Sequence, residues 1–129
     1  MAIIGLGLDV VELDRIRRIW ERFGVAFARR VLTATEQKHL FTGQQIPYLA
    51  SRFAAKEAAV KALGTGFREG ITFQQIAVAS RPSGQPELIF SETAQRLASR
   101  LGVTHIHLSL THGRDTAAAV VILEREPAH

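Results

Sequence analysis

The chain has 129 residues, enough for one domain with its own core, and its apolar run Ala117–Leu123 is only seven residues long, far short of a membrane span. It contains no cysteine, which excludes disulfides, thiolate metal sites and a thiol nucleophile. Sixteen Lys and Arg against twelve Asp and Glu leave a net charge of +4, which points to an acidic partner or substrate.

The opening Met1-Ala2-Ile3-Ile4 runs into a strand-like segment without a basic leader, and a cytoplasmic location is expected. Over residues 3–10, Ile4, Leu6 and Leu8 alternate with Gly5, Gly7 and Asp9, predicting a strand with one apolar face and one nearly bare face that ends at Asp9. From about Glu12 the period becomes helical. Leu13, Ile16, Trp20, Phe23 and Phe27 fall on one side and Arg15, Arg18 and Arg22 on the other. A second helix is predicted over Thr33–Gln45, with Thr33 or Thr35 as cap, Glu36 near its start and Gly43 at its end. Ile46-Pro47 is read as a break before a third helix that runs through Arg52 to Ala62 and closes at Gly64.

Further on, residues 71–78 alternate as a strand. Arg81-Pro82-Ser83-Gly84-Gln85-Pro86 turns into a partner strand at Glu87-Leu88-Ile89-Phe90. Ser91 caps a short helix to Gly102, and two strands follow at residues 104–111 and 117–124. The tail from Glu126 reads as a frayed end. The order β-α-α-α-β-β-α-β-β over residues 1–129 implies a single α+β domain, a small, mainly antiparallel sheet packed with helices.

The third helix carries charge on its apolar side. Leu49, Phe53, Val60 and Leu63 define a stripe that contains Glu57, while Ser51, Ala54, Ala55, Ala58, Ala59 and Ala62 form a face smooth enough to pack closely against another layer. A carboxylate in such a place needs a cation, a metal or a ligand. Asp9 and Glu57 are thus a candidate pair for Mg²⁺, which proteins commonly hold with one or two carboxylates plus substrate phosphates. The same residues also fit a strand-end aspartate and a helical Glu57–Lys61 pair. Lys56, Lys61 and Gly64-Thr65-Gly66 look like phosphate-binding groups, but the loop follows a helix C-terminus, where the macrodipole repels anions, and a plain cap explains the glycines as well. Gly5 and Gly7 lack the rest of a dinucleotide fingerprint and read as room near Asp9.

Arg15, Arg18, Arg22, Arg29 and Arg30 lie in sixteen residues whose only acid is Glu21. No aromatic residue is interleaved on that face, which favours a protein or small-anion partner over nucleic acid. His105 and His107 alternate along a strand without a third ligand at zinc spacing. Together these residues fit either a partner-binding module or a phosphate-handling enzyme.

Taken in order, Gly5-Leu6-Gly7-Leu8-Asp9 with Arg15-Ile16, then Phe53-Ala54-Ala55-Lys56-Glu57-Ala58 with Lys61 and Gly64-Thr65-Gly66, resemble the holo-acyl-carrier-protein synthase family of phosphopantetheinyl transferases. Phe27, Arg30, Leu32-Thr33, Glu36, the Gly84-x-Pro86 turn, Ser109-Leu110-Thr111-His112 and Glu124 extend the resemblance over almost the whole chain. It implies the 4′-phosphopantetheinyl transferase fold and transfer of 4′-phosphopantetheine from coenzyme A to a serine of apo acyl carrier protein, in fatty acid biosynthesis. It implies that Asp9 and Glu57 hold Mg²⁺, that Lys61 neutralises the attacked phosphate, and that Glu57 or a metal-bound water serves as base. The Gly64, Thr65 and Gly66 loop would line the pantetheine and phosphate channel, with Gly84, Pro86, Ser109 and His112 near the nucleotide end. Arg15, Arg18, Arg22 and Arg30 would meet the acidic carrier, and the protein would be a homotrimer with sites shared between subunits. One departure is Gln85, where the family often has lysine.

Overall fold

A computed structural model describes residues 1–127. Strand β1, Ala2–Glu12, leads into helices α1 (Leu13–Phe23), α2 (Val25–Val31), α3 (Ala34–Gln37) and α4 (Gln45–Leu63). A single 3₁₀ turn, Phe73–Gln75, precedes the hairpin β2 (Ile76–Ser80) and β3 (Pro86–Phe90). Helix α5 (Glu92–Leu101) and strands β4 (His105–His112) and β5 (Thr116–Arg125) complete the chain. All strand pairs are antiparallel: β5 lies between β1 and β4 in one sheet, and β2 pairs with β3 in another.

The face of the first sheet that meets α4 is the bare face of β1. A Cβ built on Gly7 would overlap the carbonyl oxygen of Ala58, and one on Gly5 would overlap that of Ala62. The glycines therefore let a helix backbone lie directly on a strand, and the alanines of α4 complete the close approach. Ala54, Ala55, Ala58 and Ala59 are fully buried, packed with Ala117, Ala119, Val121 and Leu123 of β5 in the same core. The small face of α4 thus packs closely against a second layer, as its alanines suggested. The apolar face of β1 points the other way: Leu6, Leu8 and Val10 are 64%, 60% and 61% exposed. They share that face with their β5 partners Ile122, Val120 and Ala118.

Several boundaries differ from the sequence expectation. The helix expected through Phe27 divides at Gly24, whose φ of 54° lies in the left-handed region and whose N–H bonds to Trp20 O at 2.7 Å. Phe23, assigned to the core side, is 55% exposed. The helix expected over Thr33–Gln45 is a single turn. Thr33 and Glu36 form the anticipated capping box, but the chain then passes through short turns, with Thr42 Oγ1 donating back to His39 O at 2.8 Å.

Pro47 does not precede α4 but sits in its first turn, where a missing N–H has no intrahelical acceptor to lose. Residues 71–75 are not strand, because Gln74 and Gln75 send their amides to backbone carbonyls, Gln74 to Arg29 O at 2.6 Å and Gln75 to Gly70 O at 2.8 Å. The amide N–H of Ala94 in α5 is taken by Gln75 Oε1 at 3.0 Å rather than by Ser91. In the tail, Glu126 N donates to Thr104 Oγ1 at 2.9 Å, so the expected fraying does not begin there; Ala128 and His129 lie outside the described residues.

Candidate functional site

Because α4 lies on the bare face of β1, the inward residue at the end of that face meets the helix. Asp9 Oδ1 accepts from Lys61 Nζ at 2.9 Å, and Lys61 also donates to Leu8 O at 3.1 Å. Glu57 lies one turn earlier on α4, the same side as Lys61. Burial pushes the Glu57 carboxyl above the usual carboxylate range, and the Asp9 charge pushes it the same way, against the pull of Lys61 and Arg15. Two carboxylates thus repel across β1 and α4, with one lysine bound to only one of them.

This arrangement fits a hard divalent cation. Such an ion would relieve the repulsion that raises Glu57, and two carboxylates are the usual protein share of a Mg²⁺ site whose other ligands are phosphate and water. Among the described residues no group of three or more His, Asp or Glu gathers as a closed metal cage.

The loop after α4 is a helix cap first. Gly64 has φ 86°, and the N–H groups of Gly64, Thr65 and Gly66 all bond to Val60 O at 3.0 to 3.3 Å. Those amides are spent on the helix end, which leaves the Lys61 ammonium as the side-chain donor at this end of α4. Nothing lies within 4 Å of a Cβ built on Gly64 or Gly66, so the loop borders open space.

Lys56 is not a phosphate ligand. It is fully buried, and its Nζ donates to Glu36 Oε1 and to Val31 O, both at 2.6 Å. Burial pulls its ammonium down, and the Glu36 carboxylate opposes that shift.

Beside Glu57 a row of half-buried rings runs from Phe27 through Phe53 and Phe73 to Phe67, with centroid separations of 6.4, 5.8 and 3.9 Å. The Arg15 guanidinium lies 5.7 Å from the Phe53 ring centre. Sequence reading missed this row, because Phe67 follows the glycine loop without a period and Phe73 was expected in an alternating strand. Arg15, Arg18, Arg22 and Arg30 are exposed and make no ion pair among the described residues, whereas Arg17 pairs with Asp14 at 2.8 Å.

The remaining predicted residues are elsewhere. Gly84 and Pro86 lie at the hairpin tip, where Arg81 N donates to Gln85 O at 2.8 Å, while Gln75 at the hairpin base is the residue bonded to Gly70. That puts about 16 Å of strand between the tip and the Gly70 end of the hairpin. Ser109 pairs with Val120, which pairs with Leu8, so it belongs to the exposed sheet face opposite α4. His112 borders a 410 Å³ cavity with Gln44, Gln45 and Pro47, about 15 to 18 Å along the axis of α4 from Glu57. One chain therefore does not gather these four residues with Asp9, Glu57 and Lys61.

A larger cavity of 630 Å³ lies between α3, the first half of α4 and the hairpin, lined by Thr33, Thr35, His39, Tyr48, Arg52 and Ser80 among others. Arg52 stacks over Tyr48 at 4.2 Å and donates Nη1 to Ser51 Oγ at 2.9 Å, while its buried Nε has no hydrogen-bond partner among the described residues. Arg52 went unremarked in the sequence because a single arginine on a helix carries no period; only the cavity distinguishes it.

Residues 5–121 match the family model of the 4′-phosphopantetheinyl transferase superfamily. A holo-[acyl-carrier-protein] synthase of Maridesulfovibrio salexigens is 54% identical over 123 residues, 95% of this chain and 99% of that one. The crystal structure of holo-[acyl-carrier-protein] synthase from Neisseria meningitidis superimposes with a TM-score of 0.91 at 38% identity, covering 96% of this chain and all of that one. That of the Bacillus anthracis holo-(acyl-carrier-protein) synthase, solved in complex with CoA (3′,5′-ADP), has a TM-score of 0.80 at 34% identity and covers 96% and 98% of the two chains.

Proposed function

From the premise that this chain belongs to the 4′-phosphopantetheinyl transferase superfamily, we propose that it converts apo acyl carrier protein to the holo form, as a step supporting fatty acid biosynthesis. It transfers 4′-phosphopantetheine from coenzyme A to a serine hydroxyl of the carrier and releases adenosine 3′,5′-bisphosphate. The observation that carries this reading is the convergence of Asp9, Glu57 and Lys61 where β1 and α4 cross.

In this reading Asp9 and Glu57 hold Mg²⁺, which when bound supplies charge neutralisation for the pyrophosphate of coenzyme A. Lys61, anchored by Asp9 and Leu8 O, keeps its remaining N–H for a non-bridging oxygen of the phosphorus under attack. Phosphoryl transfer depends chiefly on such positioning and electrostatics. Glu57, or a water held beside it, takes the serine proton, and the hydroxyl becomes a better nucleophile as the proton leaves. Phe53 and its neighbouring rings offer the pantetheine arm or the carrier an apolar approach, flanked by the unpaired Arg15, Arg18, Arg22 and Arg30 that suit an acidic protein surface.

The nucleotide end of coenzyme A requires a second copy of the chain. His112 is too far along α4, and Ser109 is on the outer sheet face, to serve the same centre. That face, with Leu6, Leu8 and Val10 exposed, has the character of a subunit interface, and a homotrimer with shared sites accounts for both facts.

The test is the intact mass of an apo acyl carrier protein incubated with this protein, coenzyme A and Mg²⁺, beside a chelated control. A metal-dependent gain of one phosphopantetheine group is the expected outcome. No gain with several carriers returns the arginine face to a plain binding module.

A further inference from the structure

We infer that the buried Glu36–Lys56 pair is a positioning device that sets the rotation of α4, so that Glu57 faces Asp9. Because Glu57 is taken as the working carboxylate, this assignment rests on the transfer proposed above. Lys56 and Glu57 are consecutive, which fixes them about 100° apart around the helix. Whatever holds the lysine therefore aims the glutamate.

The Lys56 ammonium is held from two sides, by Val31 O at the end of α2 and by Glu36 Oε1 in α3. Glu36 is itself clamped. Its Oε1 also accepts from Thr33 N at 2.8 Å, and its Oε2 accepts from Val78 N of β2 at 2.6 Å. The buried ion pair thus ties the end of α2, the cap of α3, the catalytic helix and the hairpin together.

The sheet-facing side of α4 is poorly suited to fixing rotation, so orientation falls to its other sides, where Lys56 is buried beside Leu49, Val60 and Leu63. Ala54, Ala55, Ala58, Ala59 and Ala62 present small side chains to the sheet, and Gly5 and Gly7 offer no knobs in return. A helix on such a surface slides and turns more easily than one locked by large interdigitating residues. A buried ion pair adds little net stability over a well-packed apolar pair, so its directional hydrogen bonds are its distinctive contribution here.

The experiment compares the full chain with the double variant Glu36→Leu/Lys56→Met and the single variant Glu36→Asp. Each is read by thermal unfolding, by kcat and KM for coenzyme A, and by crystal structure. The double variant leaves Thr33 N, Val78 N and Val31 O without their present partner, so it is expected to unfold below the parent while keeping KM within about threefold. Its kcat should fall about tenfold or more, and the Asp9–Lys61 contact in its crystal structure should be altered. Glu36→Asp keeps the charge on a shorter arm, and it should also lower kcat more than it raises KM.

Parental kcat in either folded variant, with the 2.9 Å Asp9–Lys61 contact intact, overturns the assignment. If the double variant does not fold, Glu36→Asp decides by the same readouts. If the parent itself transfers nothing, it is the proposed function that fails, and the crystal structures alone then decide whether the pair positions Glu57.

Discussion

Gly7 lies so close beneath Ala58 that a single methyl group on the strand would overlap the helix carbonyl. This contact sets the height of α4 above β1, and with it the reach from Asp9 to Lys61. Gly7→Ala should therefore lower stability by about 1 to 3 kcal/mol and lower kcat in whatever protein remains folded. Gly64→Ala meets nothing within 4 Å and is strained only by its left-handed φ, so a smaller loss of about 1 kcal/mol is expected. Denaturant unfolding of the two variants side by side checks the order.

Asp9→Asn and Glu57→Gln keep shape while removing charge. Each should abolish transfer, leave the circular dichroism spectrum unchanged and remove the response to added Mg²⁺. Retained activity in either variant would remove that residue from the centre.

Glu57 also predicts a stability that depends on pH in metal-free buffer. Its folded pKa is raised by burial and by Asp9, so between the unfolded and folded values the native state binds more protons than the unfolded chain. Stability therefore falls as pH rises through that window. Glu57→Gln, which cannot ionise, should be more stable than the parent at neutral pH and should flatten this part of the profile. Thermal unfolding from pH 4 to 8 with a chelator present measures it; a variant that is less stable at neutral pH would contradict the sign.

Among the described residues Arg15, Arg22 and Arg30 form no ion pair with a carboxylate. Arg22→Ala should raise KM for an acidic carrier about two- to fivefold at low salt and leave kcat nearly unchanged, with the difference shrinking as salt is added. Arg15→Ala should do more, because Arg15 also lies over Phe53 and lowers the Glu57 pKa. Carrier titrations at two ionic strengths separate the two.

Leu8 is 60% exposed, so Leu8→Asp costs an isolated chain little. If the outer sheet face meets a second copy, the substitution should convert the oligomer to monomers in sedimentation and lower transfer with it. A variant that sediments like the parent would assign the interface elsewhere.

Much of the site was legible because it depends on local pattern. Asp9 ends an alternating strand, Glu57 interrupts an apolar helical stripe, and Gly64 closes the helix with the backbone angle its position suggested. The helix boundaries around Gly24 and Pro47 were less legible. A glycine in a helical period and a proline in a first turn have the same local signature whether the helix breaks or continues, and only the packing distinguishes them.

By itself the sequence determined the strand and helix periods, the one-sided arginine face and the residue types able to hold a cation or a phosphate, since these follow from side-chain spacing and chemistry. Tertiary structure decided which face of β1 is inside. The apolar face was turned outward because only the glycines admit the helix backbone at contact distance. It also decided between two lysines five residues apart. Lys56 is buried by α2 and α3, which arrive from more than fifteen residues away in the chain, and Lys61 is left at the open end of the helix beside Asp9. No local pattern encodes that difference, because it depends on where other segments land.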